Sequence, residues 1–129
     1  MSKQNPVIVY VGETPRALAL QTALQTLGWT LLHPQEMMEA LAMHIFYYPD
    51  AFIIEDTSDF DDPRGTFAHL RSVGAENILV LTNAPASWGT GVRALPTYIS
   101  IDSLMGALAG MMETAETAER VPEALPLLN

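Results

Sequence analysis

Residues 48–55 read Tyr48-Pro49-Asp50-Ala51-Phe52-Ile53-Ile54-Glu55, and this stretch decides the fold. Four consecutive apolar residues between two acids are too short for a helix, and they favour a strand buried on both faces. Two similar runs occur along the chain, residues 7–11 before this stretch and residues 78–81 after it. We therefore expect three neighbouring strands at the centre of one sheet.

Segments with helical spacing separate these runs. The first begins near Pro15, repeats leucines at helical intervals and ends at Gly28. The second is rich in Met, Ala and Glu and runs to about Tyr48, and the third begins at Pro63. Each crossover between parallel strands needs such a covering segment, so the alternation of runs and helices predicts a parallel sheet.

Two further apolar runs, residues 29–32 and 98–101, complete a set of five predicted strands. A last helix is expected to follow the fifth strand, with Asp102 or Ser103 as its cap. We predict an α/β three-layer sandwich of flavodoxin-like type, with a five-stranded parallel sheet in the order 2-1-3-4-5. The ligand site of such a sheet lies beyond the carboxyl ends of its strands.

Composition narrows the class of protein. The chain has 129 residues, of which 49% are hydrophobic, and this predicts one domain over residues 1–118 with a tail or linker over 119–129. A net charge of −9 argues against nucleic acid or an anionic membrane as partner, so protein partners are expected. The chain has no cysteine and no apolar run near 20 residues, and we expect a cytoplasmic protein without a disulfide framework.

The order and spacing of these elements resemble the CheY-like receiver domain of two-component response regulators, over about residues 6–118. By this resemblance, Glu55 stands at the position of the phosphoacceptor aspartate. Thr82 stands where the family keeps a hydroxyl that contacts the phosphoryl group, and Tyr98 stands at the position of the switch aromatic. The resemblance implies a signalling domain and not an enzyme.

The chain departs from the family at the positions that carry the chemistry. Ile101 replaces the lysine that neutralises the phosphoryl group, and the one lysine of the chain is Lys3. The paired acids that hold magnesium in the family correspond to Val11 and Gly12, which leaves Glu13 as the acid after the first strand. A hard cation needs several oxygen ligands, so magnesium should bind poorly.

The acceptor position is altered as well. Glu55 is one methylene longer than aspartate, which moves its oxygens by about 1 Å and disturbs an in-line attack. Asp56 is the alternative acceptor if the alignment shifts by one residue. Glu13, Glu55 and Asp56 are weak metal candidates, and no metal or cofactor is expected.

Residues 83–96 contain two prolines and two glycines where the family has its fourth helix. We expect that helix to be reduced or irregular. Trp88 lies in this segment and has two interpretations: an exposed anchor for a protein partner, or a side chain that folds back over the sheet.

These observations predict a degenerate receiver that acts as a phosphorylation-independent interaction module in signal transduction. A homodimer is one candidate assembly. One alternative is a receiver that is still weakly phosphorylated at Glu55 or Asp56. The other is a flavodoxin-like binder of a small molecule or nucleotide at Gly12, although Gly12 lacks the glycine-rich fingerprint around it.

Overall fold

The computed structural model describes residues 5–57 and 62–112. The elements follow one another in the order β1 (Val7–Val11), α1 (Thr14–Gln25), β2 (Thr30–Leu32), α2 (Met37–Tyr47), β3 (Ala51–Glu55), α3 (Pro63–Ser72), β4 (Ile78–Leu81), a single 3₁₀ turn (Pro85–Trp88), β5 (Arg93–Leu95) and α4 (101–112). The predicted boundary at residue 118 and the tail 119–129 lie outside the described residues.

The five strands form one parallel sheet in the order β2-β1-β3-β4-β5, which confirms the predicted topology. Strand residues alternate between the two faces, so that Ile8 and Tyr10 pack on one side while Val9 and Val11 pack on the other. Helices α1 and α4 cover the first side, and α2, α3 and the 3₁₀ turn cover the second. Both faces of the sheet are therefore buried.

The predicted fifth strand at residues 98–101 is wrong. The fifth strand is Arg93–Leu95, which pairs in parallel with residues 79–81 of β4. The crossover from β4 contains only a 3₁₀ turn, so the chain reaches the sheet edge earlier than a full helix would allow. Pro96 lacks an N–H and ends the ladder. Arg-Ala-Leu has little strand propensity, which hid this strand in the sequence.

The start of α4 also differs from the prediction. Residue 101 is already helical, and the Ser100 side chain accepts a hydrogen bond from the Ser103 backbone N–H at 3.1 Å. Ser100 is thus the cap, and Asp102 and Ser103 lie inside the first turn. The fourth crossover helix is reduced to the turn Pro85–Trp88, as its prolines and glycines predicted. Among the described residues, no helix has the length and apolar character to cross a membrane.

Candidate functional site

The carboxyl ends of β1 and β3 lie side by side because the two strands are hydrogen-bonded neighbours. Glu55 is the last residue of β3 and is only 2% exposed. A carboxyl group removed from water in this way needs hydrogen-bond or charge partners. The site is therefore defined by the groups that surround Glu55.

Three groups converge on the Glu55 carboxylate. The Tyr10 hydroxyl, from β1, donates a hydrogen bond to Oε2. The Glu13 backbone N–H, at the start of α1, donates to Oε1 at 3.1 Å. The Arg16 Nε, in the first turn of α1, lies 3.7 Å from Oε2. Both oxygens of Glu55 are thus engaged by this chain's own residues, and the charge of the group is matched by a guanidinium.

Arg16 also connects the site to the last crossover. Its guanidinium donates to the Ile99 carbonyl at 2.9 Å, in the segment between β5 and α4. One cation therefore links β3, α1 and the approach to α4. The planar guanidinium suits this role, since it directs several N–H donors in fixed directions.

Tyr10 is buried in the middle of an apolar strand and has its polar end against Glu55. Burial raises the pKa of the Tyr10 hydroxyl far above its usual value, and the hydrogen bond to Glu55 and the nearby negative charge raise it further. Tyr10 therefore stays protonated and acts as a donor to Glu55.

Gly12 brings the β1–α1 loop close to Glu55. A Cβ atom at this position would lie 2.6 Å from the Glu55 Cβ and 2.9 Å from the Tyr10 Cε1, closer than van der Waals contact permits. His33 Nε2 donates to the Gly12 carbonyl at 2.9 Å and holds the loop from the β2 side. By the resemblance, position 12 corresponds to one of the two magnesium positions of receiver domains, and the packing here leaves no room for a carboxylate side chain. The other position, Val11, is buried in the core.

Asp56 begins a second cluster next to Glu55. Its Oδ2 accepts hydrogen bonds from the Thr82 hydroxyl at 2.8 Å and from the Trp88 indole N–H at 3.2 Å. The Arg64 guanidinium lies 3.9 Å from the same oxygen. The Asp56 side chain is 30% exposed, so solvent reaches it. The Thr82 hydroxyl therefore donates its hydrogen bond to Asp56.

Trp88 packs inward in this cluster. It is buried against the core on the α2–α3 side, and its ring meets Phe67 edge to face at 5.6 Å between centroids. The Arg64 guanidinium lies 5.1 Å from the indole centroid and also donates to the Ser87 carbonyl at 3.0 Å. The 3₁₀ turn thus covers the carboxyl end of the sheet, and its indole faces Asp56 and the core.

Neither Tyr98 nor Ile101 lies on the fifth strand, where the prediction placed them. Tyr98 is 83% exposed in the turn after β5, and Ile101 is the first residue of α4. The last residue of β5 is Leu95. Leu95, and not Ile101, therefore ends the last strand, which is where the resemblance puts the family's lysine.

Sequence reasoning missed Tyr10, Arg16 and His33 as members of the Glu55 site. A signal existed for the first two. A tyrosine inside a fully apolar strand needs a partner for its hydroxyl, and Arg16 lies in the first turn of a helix that starts at the ligand end of the sheet. Glu13 contributes its backbone N–H to the site, whereas the sequence drew attention to its carboxylate.

No group of three histidine, aspartate or glutamate side chains able to hold a metal ion occurs within residues 5–57 and 62–112. The N-terminus of α1, where a nucleotide phosphate would be expected to sit, already directs the Glu13 N–H at Glu55. The geometry thus favours a closed carboxylate site over a ligand cradle.

No family model and no curated protein matches this chain. The fold, in contrast, matches many solved structures. The receiver domain of the Francisella response regulator 1452 is 16% identical, with a TM-score of 0.71 over 86% of this chain and 99% of that one. The BeF3-activated receiver domain of Klebsiella pneumoniae RstA is 17% identical, with a TM-score of 0.70 over 82% of this chain and 97% of that one.

The signal receiver domain of a LuxO repressor protein from Vibrio parahaemolyticus gives the same result. It is 16% identical, with a TM-score of 0.65 over 91% of this chain and 97% of that one. The chain therefore has the fold of a response-regulator receiver domain, as the resemblance predicted.

Proposed function

We propose that this chain is a degenerate receiver domain that serves as a phosphorylation-independent protein-interaction module in signal transduction, and that it is not an enzyme. The observation that carries the proposal is the burial and hydrogen bonding of Glu55. The carboxylate at the acceptor position is buried, and both of its oxygens are held by Tyr10, Glu13 and Arg16.

Phosphoryl transfer requires a carboxylate oxygen that can approach the phosphorus in line with the leaving group. At Glu55 such an approach would first break the hydrogen bond from Tyr10 or from the Glu13 N–H. It would also need cations to neutralise the equatorial oxygens. Leu95 ends the last strand and Gly12 is packed against Glu55, so neither position offers a lysine or a magnesium ligand.

The contacts of Glu55 also suggest what replaces phosphorylation. The Glu55 carboxylate pairs with Arg16 and so joins β3 to α1, and Arg16 in turn donates to the Ile99 carbonyl. Because Glu55 and Arg16 are both encoded in the sequence, this ion pair forms without a protein that donates a phosphoryl group. The surface of the domain is then presented to partners in one constant form.

The test is an amide NMR titration of the full chain with magnesium and beryllium fluoride, followed by mass spectrometry after incubation with acetyl phosphate. The RstA receiver domain, which was solved in its BeF3-activated form, serves as the positive control. We expect no saturable shifts at Glu55, Thr82 or Leu95 and no added phosphoryl group. Saturable shifts, or a stable phosphoryl adduct, would overturn the proposal.

A second candidate is a receiver that still accepts phosphate weakly, and one observation favours Asp56 over Glu55 as its acceptor. Asp56 is partly exposed, and it has the Thr82 hydroxyl and the Arg64 guanidinium beside it. If an adduct forms, Asp56→Asn should abolish it while Glu55→Gln leaves it intact. The reverse pattern would assign the acceptor to Glu55.

A further inference from the structure

A groove of about 450 Å³ lies at one edge of the sheet, between β5 and the last turns of α4. β5 is an edge strand, because its one neighbour in the sheet is β4. Arg93 and Leu95 point to the α4 side, since they pair in register with Leu79 and Leu81, which belong to the core on that side. On α4, the residues that line the groove are Ala107, Gly110 and Met111.

The groove is open because small residues form its α4 wall. A Cβ atom added at Gly110 would meet no atom within 4 Å, so there is free space beside this residue. Leu95 and Ala107 are only partly buried at the border of the core. Ligand pockets of proteins typically enclose about 300–1,000 Å³ and are mostly apolar. The groove therefore has the size and lining to take several aliphatic side chains.

Arg93 is the charged residue of this lining, and it is exposed at the start of β5. No carboxylate of the described residues forms an ion pair with it. The chain has a net charge of −9, so a guanidinium without a carboxylate beside it stands out. An apolar groove with a guanidinium at one end favours an occupant that combines aliphatic side chains with a carboxylate.

A segment with this chemistry follows α4 in the same chain. The described part of the chain ends at Met112, one residue beyond Met111 of the groove. Residues 113–120 contain three glutamates and an arginine, as is typical of a solvated linker. Residues 121–128 contain three leucines, a valine and two prolines, with Glu123 as the one charge. The sequence thus places an apolar segment with a single carboxylate after a charged linker.

The linker is long enough for this segment to return to the groove. Residues 113–120 span up to about 28 Å if extended and about 12 Å if helical. The groove reaches the last turn of α4, so even the helical case requires a return of only about 12 Å, which about four extended residues cover. Proline restricts the backbone to extended conformations, so Pro122 and Pro126 lower the entropy lost on binding.

We propose that residues 121–128 dock in the groove between β5 and α4 of the same chain, with their leucine side chains beside Gly110 and the Glu123 carboxylate paired with Arg93. A tethered segment acts at an effective concentration on the order of mM, so even a weak contact is occupied. A second copy has no such tether and is repelled by its own net charge of −9. Docking covers an edge of the sheet and has to be released before another protein binds there.

This inference goes beyond the proposed function, because it rests on the β5 edge and not on the Glu55 site. The test uses cysteine pairs in the full chain, which has no cysteine of its own. The effective concentration of the two thiols is measured against glutathione. In Gly110→Cys/Leu127→Cys it should be at least about tenfold higher in native buffer than in urea, where the segment is only tethered. Met38→Cys/Leu127→Cys is the control and should show no such increase, because Met38 is exposed on α2, across the sheet.

Substitutions in the Gly110→Cys/Leu127→Cys chain test the two kinds of contact. Leu125→Ser should lower the effective concentration by about tenfold, because a leucine side chain no longer enters the groove. Ala115→Ser, in the linker, is the matched control and should leave it unchanged. Arg93→Glu should lower it by about threefold, as expected for an exposed ion pair, and adding Glu123→Arg should restore it.

Amide NMR of the cysteine-free chain gives an independent readout. Leu125→Ser should shift the amide signals of Leu95 and Gly110 and leave that of Glu55 in place. An effective concentration that is equal in buffer and urea, or that ignores Leu125→Ser, would overturn the proposal. Disulfides that form between copies and not within one chain would assign the groove to a second copy and overturn it too. Beryllium fluoride and acetyl phosphate play no part in these readouts, so their failure is separate from failure of the proposed function.

Discussion

The Glu55 site and the outer face of α2, which Met38, Ile45 and Phe46 form, differ in how completely this chain satisfies its own side chains. At the Glu55 site, buried polar groups all have partners, and no buried side-chain nitrogen or oxygen of the described residues lacks one. On the outer face of α2, large apolar groups remain in solvent. The ligand end of the sheet is thus closed by internal contacts, while a helix surface is left incomplete. This difference favours recognition at a surface over chemistry at Glu55, which is what the proposed function requires.

The contrast predicts that mutations at the Glu55 site reduce stability most. Glu55→Ala would leave the Tyr10 hydroxyl, the Glu13 N–H and the Arg16 guanidinium without their acceptor. We expect a loss of about 3 kcal/mol in the free energy of unfolding, measured by urea denaturation. Asp56→Ala is the matched control, and its partly exposed cluster should lose about 1 kcal/mol. Equal losses would contradict the difference in burial between the two carboxylates.

Gly12→Ala is the next largest expected effect. The added methyl group would meet the Glu55 Cβ at 2.6 Å, and the loop or β3 would have to move. We expect a loss of about 2 kcal/mol, typical of overpacking. Gly106→Ala serves as the control, because Gly106 lies in α4 with no atom within 4 Å of the new Cβ. That change should stabilise the protein by about 0.5 kcal/mol, and a loss of similar size in both variants would refute the packing argument.

The raised pKa of Tyr10 predicts a pH dependence. The folded protein keeps the Tyr10 proton, whereas the unfolded chain releases it near the ordinary tyrosine pKa of about 10. The unfolded state binds fewer protons above that pH, so stability falls as pH rises. The contribution of Tyr10 is about 1.4 kcal/mol per pH unit above 10.

Tyr10→Phe should remove this part of the slope, although it also removes the hydrogen bond to Glu55 at all pH values. The measurement is the slope of unfolding free energy against pH between about 9 and 11, compared between the two proteins. Identical slopes would mean that the Tyr10 hydroxyl ionises as readily in the folded state as in the unfolded state.

The smallest effect on stability is expected at the outer face of α2. Phe46→Ser removes a side chain that is 74% exposed, so the unfolding free energy of the monomer should change by no more than about 0.5 kcal/mol at low protein concentration. A loss comparable to that of Glu55→Ala would show that Phe46 belongs to the core of the single chain. The comparison between the two regions would then fail.

The sequence allowed much of the fold to be predicted. The runs at residues 7–11, 51–54 and 78–81 are strongly apolar and short, and the structure places β1, β3 and β4 there. Prolines and glycines after Thr82 predicted the reduced fourth helix. The position of the fifth strand was predicted wrongly because Arg93–Leu95 lies at the edge of the sheet. Few residues are buried there, and the hydrophobic pattern is weak.

What the sequence by itself determined is the fold class and the candidate position of Glu55, because apolar periodicity and spacing are local properties of the chain. Only the tertiary structure decided which groups surround and bind the Glu55 carboxylate. Tyr10 is 45 residues and Arg16 is 39 residues from Glu55 along the chain, and they meet it because β1 pairs with β3 and α1 starts at the same edge. Likewise, the face of α2 that remains in solvent depends on which side the sheet covers. Such choices depend on packing between distant segments, which no local pattern records.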